Sequence, residues 1–155
     1  MTYRALLVMT TASAMMIGCG GDEGEPMEGS LQILVGNDAV TPSVGAALSN
    51  PEVPGEMVVL MGTNEVSCST DLYDEPPQSG TFVMFSTEIA TLGPRDTGIS
   101  VIRLSRSSSS LNSTDGTVTI DAVGERVTGS VVFDTTDDEV GTIAVTGTFD
   151  VLKCF

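Results

Sequence analysis

The chain has 155 residues, a formal net charge of −15 and no histidine. A chain this acidic repels nucleic acid and anionic lipid surfaces, so we expect no nucleic-acid partner. Without histidine, the Ser-His-Asp and Cys-His catalytic arrangements and histidine-ligated zinc are excluded. Charged residues make up only 17% of the chain and hydrophobic residues 41%, which indicates a domain with an apolar core and not a disordered polyanion.

Residues 1–18 have the layout of a secretory signal peptide. The amino terminus and Arg4 supply positive charge, and a mostly apolar run follows from residue 5 to residue 17. A membrane-spanning helix needs about 20 apolar residues, so this run is too short to span and fits a signal peptide. A buried N-terminal helix or strand is the alternative. Residues 20–30 argue against it, because their glycines and glutamates predict a flexible, self-repelling tether.

The apolar run ends in Met16-Ile17-Gly18-Cys19, which resembles the lipobox of bacterial lipoprotein precursors. Such precursors carry a small residue directly before the cysteine and an aliphatic residue three positions before it, where this chain has Met16. The resemblance implies that cleavage follows Gly18. It also implies that Cys19 carries a thioether-linked diacylglycerol and a further acyl chain, such as palmitate, on its new amino group. Two or more acyl chains anchor a protein stably, so the membrane is an expected partner through Cys19.

Three cysteines are an odd number, which requires an explanation in an exported protein. Lipidation of Cys19 would leave Cys68 and Cys154, and an oxidising compartment favours a disulfide bond between them. Two separate buried thiols are the alternative. If the bond forms without strain, closure of so long a loop stabilises the fold by about 4–5 kcal/mol in the chain-entropy model.

Alternation of apolar and polar residues with a period of two dominates the chain after residue 30. It predicts strands at 31–35, 57–61, 81–86, 99–104, 117–122, 126–134 and 142–149. Turns are predicted between them at Asn50-Pro51, Pro54-Gly55, Pro76-Pro77, Gly93-Pro94, Asp115-Gly116 and Gly124-Glu125. Residues 107–110 are interpreted as a flexible serine-rich loop. The Val-Thr-Gly pattern at 127–129 and again at 145–147 indicates two adjacent strands whose glycines allow a close approach or a bulge.

The short connections between the last three strands predict an antiparallel meander. No stretch after residue 30 predicts a convincing amphipathic helix, and the best candidate, 40–48, is interrupted by Pro42. We therefore expect an all-β domain at 31–155, an antiparallel β-sandwich or small barrel of about seven to eight strands. A signal helix at 1–18 and a lipidated cysteine with an acidic flexible tether at 19–30 would precede it.

The C-terminal part of the chain carries a second resemblance. Residues 116–120, 127–129 and 147–150 read Gly-Thr-Val-Thr-Ile, Val-Thr-Gly and Gly-Thr-Phe-Asp, and Cys154 follows. This layout resembles that of a group of small envelope lipoproteins of uncharacterised function, in which an earlier cysteine follows a strand as Cys68 does here. The resemblance implies a disulfide-closed β-domain and an envelope location. It supplies no catalytic residue.

Candidate catalytic groups are few. The only lysine is Lys153, and neither a CxxC spacing nor a phosphate-binding glycine loop is present. A pair of carboxylates can hydrolyse glycosides, but such sites usually hold the sugar on aromatic rings. Beyond the signal segment the chain has no tryptophan and one tyrosine, Tyr73. We therefore expect no catalytic residue, no cofactor and no enzymatic activity, with a carboxylate-dependent hydrolase as the least favoured alternative.

Two acidic clusters are candidates for a calcium site. The first, in a predicted hairpin loop, comprises Asp134, Asp137, Asp138 and Glu139. The second, after Cys68, comprises Asp71, Asp74 and Glu75. Calcium takes carboxylate and carbonyl oxygens from flexible loops, but neither cluster has the EF-hand spacing. Solvated loops are the favoured interpretation, and we expect no metal.

These features predict a lipid-anchored protein of the bacterial cell envelope, on the outer membrane, the periplasmic face or the cell surface. Its β-domain is expected to act as a non-catalytic binding or scaffold module that presents loops on a rigid frame to an envelope protein. A calcium-binding β-domain is the alternative.

Overall fold

A computed structural model describes residues 24–72, 74, 77–105 and 108–155. The expected signal helix, Gly18 and Cys19 lie outside the described residues. The described part is built from β-strands, which confirms the all-β prediction. The strands are β1 (Glu28–Gly29), β2 (Gln32–Val35), β3 (Asp38–Val40), β4 (Val44–Ser49), β5 (Glu56–Gly62), β6 (Gly80–Glu88), β7 (Gly93–Ser105), β8 (Ser108–Val123), β9 (Arg126–Asp137) and β10 (Gly141–Lys153).

Seven of these strands close into a barrel. From β4 to β10 each strand pairs antiparallel with the next one along the chain. The ring is completed by a short parallel pairing of β10 with β4, at Leu152↔Ala46 and Lys153↔Ala47. The predicted meander of the last three strands is confirmed, and of the two expected architectures the structure is the barrel. Closure matters because it removes the open edges that a sheet would otherwise present.

The other three strands extend the sheet from the same edge of β10 that reaches β4. β1 pairs with β10 at Glu28↔Asp150, β2 pairs with it over Ile143 to Thr146, and β3 forms a hairpin with β2. The long strand β10 therefore has β9 along one edge and β2, β1 and β4 in succession along the other.

This arrangement corrects the extent of the tether. Residues 25–30 were expected to be free, yet they are attached to the barrel. Glu25 N donates to Val66 O at 2.6 Å, Ser30 N donates to Thr148 O at 3.0 Å, and Met27 packs against the core. The reason is that the backbone of this acidic segment finds hydrogen-bond partners on β10, on β4 and on the β5–β6 loop, which its composition does not report.

One cluster of apolar side chains fills the barrel interior. Along β9 and β10 the buried residues occupy alternate positions, as the period-two pattern predicted. The Phe149 ring is buried and packs at a tilt on Phe85, with ring centroids 5.7 Å apart. The cluster comprises Leu31, Ile33, Val35, Ala47, Met57, Val59, Met61, Val83, Phe85, Ile99, Val101, Val118, Ile120, Val127, Val131, Phe133, Ile143, Val145, Phe149 and Val151.

A second apolar cluster lies on the outside of the wall. It comprises Ala46, Leu48, Leu60, Val66 and Phe82. Four of these belong to β4, β5 and β6, and Val66 comes from the β5–β6 loop, which lies over them. This covering explains why β5 is buried at every position from Met57 to Gly62 and does not alternate: both of its faces are shielded from water.

The strand boundaries differ from the predictions mainly in polar segments. β8 begins at Ser108, where a flexible loop was expected, and Asp115-Gly116 lies within this strand instead of forming a turn. Asp115 pairs with Gly98 of β7. Pairing with β7 therefore keeps this segment extended, although its sequence by itself favours a turn. β4 occupies most of the weak helix candidate at 40–48, and Pro42 precedes the strand.

Two glycines allow close contacts, as the repeated Val-Thr-Gly pattern predicted. A Cβ added to Gly129 would overlap the carbonyl oxygen of Thr119 and lie 2.8 Å from the ring of Phe149. Gly147 has a φ of 128°, and a Cβ there would overlap the carbonyl oxygen of Ser30. The two repeats lie on adjacent strands, with Gly129 opposite Phe149. The glycines therefore make room for an aromatic ring and for a crossing chain.

Candidate functional site

Cys68 and Cys154 form a disulfide bond with a Cα–Cα distance of 5.2 Å, which confirms the predicted pairing. The bond joins the β5–β6 loop to the residue that follows β10. Cys154 N also donates to Ala47 O at 2.9 Å, and the Cys154 side chain packs against the outer apolar cluster. The loop is thus attached to the point where the barrel closes.

A groove of about 290 Å³ lies beside this loop, at the end of β4. It is lined by Leu48, Ser49, Pro51, Ser69, Thr70, Asp71 and Leu72. Ser67 N donates to Thr70 Oγ1 at 2.9 Å, and Asp74 N donates to Asp71 Oδ1 at 2.9 Å. These bonds, together with the disulfide bond, link the residues that line the groove to one another and to the barrel. Its size suits one protruding side chain of a partner better than a drug-sized molecule. No motif in the sequence signals it.

The acidic side chains of 134–139 do not form one cluster. Asp134 lies exposed on β9 opposite Ala144, while Asp137 Oδ1 accepts hydrogen bonds from Glu139 N at 2.8 Å and Val140 N at 3.0 Å. Asp137 therefore stabilises the β9–β10 turn. Glu75 of the second cluster lies outside the described residues. Among the residues that are described, no group of three or more acidic, cysteine or histidine side chains is placed to hold a metal ion.

We expect calcium to leave the melting temperature unchanged. Alanine at Asp137, Asp138 and Glu139 together should keep the fold intact, and removal of the Asp137 cap should lower stability by about 1 kcal/mol. The double variant Asp138→Ala/Glu139→Ala is the matched control that retains the cap. Thermal melting with calcium and with chelator measures the effect. A site filled at 100 times its Kd would add about 2.7 kcal/mol, and a calcium-induced rise that the triple variant loses would make this loop a metal site.

The outer face of β8, β9 and β10 is not covered by another described segment, and it is rich in hydroxyl groups. Thr119, Ser130 and Thr148 stand side by side on the three strands. The hydroxyl of Ser30 lies 3.1 Å from that of Thr148, which extends the row to the next strand segment. Val132, at the middle of this face, is 60% exposed. Within the described residues, the barrel therefore has one side covered by the β5–β6 loop and one exposed side that carries hydroxyl groups.

Two ion pairs join strands at the surface of the described part of the chain. Arg103 pairs with Asp38 at 3.1 Å and joins β7 to β3, and Arg126 pairs with Asp150 across β9 and β10. Because both pairs are partly or largely exposed, each contributes no more than about 1 kcal/mol. Arg95 differs, since no carboxylate of the described residues lies within 4.0 Å of its guanidinium.

The described residues contain no helix with the length and apolar character needed to cross a bilayer. No protein-family model matches the chain, and neither a curated protein nor a solved structure is significantly similar to it.

Proposed function

We propose that the chain is a lipid-anchored protein of the bacterial cell envelope whose barrel binds a partner on its outer surface and does no catalysis. The observation that carries the proposal is the disulfide bond between Cys68 and Cys154. It leaves Cys19, the last residue of the lipobox-like motif, as the one remaining cysteine of the chain. A cysteine reserved in this way is what lipidation requires.

The attachment of Glu25 supports a position close to the bilayer. Glu25 is hydrogen-bonded to the barrel at Val66 and lies only a few residues after Cys19. An extended chain covers at most about 3.3–3.6 Å per residue, so the barrel would be held within about 20 Å of the lipidated cysteine. The acidic surface would keep the barrel from lying flat on anionic lipids.

Two features favour binding on the outside of the barrel. Its interior side chains are apolar and most of them are fully buried, so they are shielded from a partner protein in solution. The groove between Leu48 and Leu72 is concave, and the disulfide bond holds its loop in place. We infer that a side chain of an envelope protein inserts there. The calcium-binding alternative has less support, because Asp137 is already used by its own turn.

Lipidation is tested by mass spectrometry of protein extracted from membranes of a bacterial host. We expect a chain that begins at Cys19, carries acyl chains there and has lost residues 1–18. The control variant Cys19→Ser should retain the Cys68–Cys154 bond but lose the acyl chains and fractionate away from the membrane. An intact N-terminus or an unmodified Cys19 in the wild-type protein would overturn the proposal.

The binding role is tested separately by pull-down from envelope fractions with the acylated protein. Ser69→Arg places a bulky charge at the groove, and Thr146→Arg places the same charge on the open face of β10. We expect the groove variant to lose a partner that the wild type and the Thr146 variant both retain. Retention of every partner by the groove variant would rule out the groove.

A further inference from the structure

One end of the barrel holds an arginine that lacks an anionic partner. Arg95 lies near the start of β7, on the same strand face as the buried Ile99, so its side chain points toward the barrel interior. Its Nη2 donates to the carbonyl oxygen of Thr91, while its Nε is buried without a hydrogen-bond partner. In a chain with 21 acidic side chains, this guanidinium has no carboxylate of the described residues within ion-pair distance.

A second unpartnered polar atom lies on the neighbouring strand. Thr87 is only 4% exposed, and its Oγ1 has no hydrogen-bond partner. β6 and β7 pair as far as Phe85↔Ile99, and beyond that point Thr97 Oγ1 still donates to Ser86 O at 3.1 Å. If this register continues, Thr87 lies opposite Thr97, and Arg95 is the next residue of β7 on the same face. Thr87 and Arg95 then both lie on the inner face at the same end of the barrel.

These two atoms are unusual for a native protein. Buried polar side chains are normally hydrogen-bonded, and an exception requires an explanation such as a ligand or an ion. Within the described part of the chain, the Nε of Arg95 and the Oγ1 of Thr87 are the buried side-chain atoms that lack a partner. That both belong to adjacent strands at one end of the barrel indicates a common cause.

Exposed apolar side chains lie at the same end. Leu92, in the loop that also contains Thr91, is 58% exposed, and Val53, in the β4–β5 loop, is 42% exposed. The two loops are in contact, because Ile89 N donates to Gly55 O at 2.9 Å. The barrel end therefore combines a cation with an apolar rim, on a protein with a net charge of −15.

We propose that this end of the barrel binds a monoanionic carboxylate that carries an apolar group. The guanidinium fork of Arg95 matches a planar carboxylate, and the Thr87 hydroxyl is a second donor. The apolar group would contact Leu92 and Val53. Dianions such as phosphate are disfavoured because Glu56 and Glu88 stand opposite one another on β5 and β6 at this end, and the whole chain is strongly negative. None of the residues named for this site lines the groove, although Val53 and the groove residue Pro51 belong to the same loop. The site does not depend on lipidation.

Titration calorimetry on the full-length protein, at constant ionic strength, tests the proposal with two sources of the same chemistry. Butanoate represents a free carboxylic acid, and an N-acetylated Ala-Val dipeptide represents the carboxyl terminus of a protein. The C-terminal amide of that dipeptide and inorganic phosphate are the controls. We expect saturable binding of at least one carboxylate and none of the amide. Binding of the dipeptide alone identifies a protein terminus, and binding of butanoate alone identifies a small acid.

Arg95→Gln should weaken carboxylate binding by about tenfold or more, as expected for a charged hydrogen bond. Arg103→Gln is the matched control, because it removes an arginine of the same strand whose partner is Asp38. Thr87→Val tests the second donor in case Arg95→Gln does not fold, and it should also weaken binding. The absence of saturable carboxylate binding in the millimolar range, tighter binding of phosphate, or unchanged affinity in both site variants would overturn the proposal.

Discussion

Replacement of Gly129 by valine is expected to remove a large part of the stability of the barrel. The new Cβ would overlap the carbonyl oxygen of Thr119 and press on the ring of Phe149, which itself packs on Phe85. Overpacking usually costs about 1–3 kcal/mol. Here a backbone segment of β8 and a fully enclosed ring must both move, so we expect a loss above about 3 kcal/mol, a large part of the 5–15 kcal/mol typical of domains.

Chemical denaturation of the purified protein measures this loss. Gly98→Val is the matched control, since Gly98 is exposed on β7, lies within a strand and has no atom within 4 Å of an added Cβ. Valine has a high strand propensity, so this variant should be as stable as the wild type or slightly more so. If both variants lost the same free energy of unfolding, the loss at Gly129 would not be due to its close packing.

Loss of the Cys68–Cys154 bond is expected to lower the free energy of unfolding by about 4–5 kcal/mol in the chain-entropy model. The cysteines are 86 residues apart in sequence, so the bond closes a long loop of the unfolded chain. The double variant Cys68→Ala/Cys154→Ala avoids a free thiol. We expect its β5–β6 loop to detach more readily than that of the wild type, which would expose Val66 and Phe82 of the outer cluster.

Denaturation with and without reductant separates the bond from the side chains. Reductant should lower the wild-type midpoint to that of the double variant and leave the variant unchanged. Hydrogen exchange should then be faster for the backbone amides of residues 63–72, while the amides of β9 keep their protection at mild temperature. A wild-type midpoint that reductant does not move would show that the bond contributes nothing to stability.

The alternation of residue types determined much of this fold. On β9 and β10 the apolar positions lie on one face because side chains of a strand point alternately to its two sides. The pattern therefore identified Val131, Phe133 and Val145 as core residues without any knowledge of the barrel. Cysteine counting identified the disulfide bond for a similar reason: once Cys19 is assigned to lipid, Cys68 and Cys154 are the only two left to pair.

Outside the predicted meander of β8, β9 and β10, strand partners were decided only by the tertiary structure. Three features depend on the backbone groups of another strand or loop: the parallel pairing at Leu152↔Ala46, the strand character of Ser108 to Gly116 and the attachment of residues 25–30. Every residue has a backbone hydrogen-bond acceptor, and every residue except proline also has a donor. The side-chain pattern of a segment therefore does not indicate which strand edge the segment will join.

The same limit applies to the candidate sites. The acidic residues of 134–139 are neighbours in the sequence, but they do not converge on one site. Asp134 lies on β9, and the Asp137 carboxylate accepts hydrogen bonds within the β9–β10 turn. Arg95 and Thr87 are unremarkable in the sequence and become significant because the pairing of β6 with β7 brings them to one end of a closed barrel. Residue type and spacing determined which faces of β9 and β10 are buried, whereas the closure of the barrel decided which polar atoms are left inside without a partner.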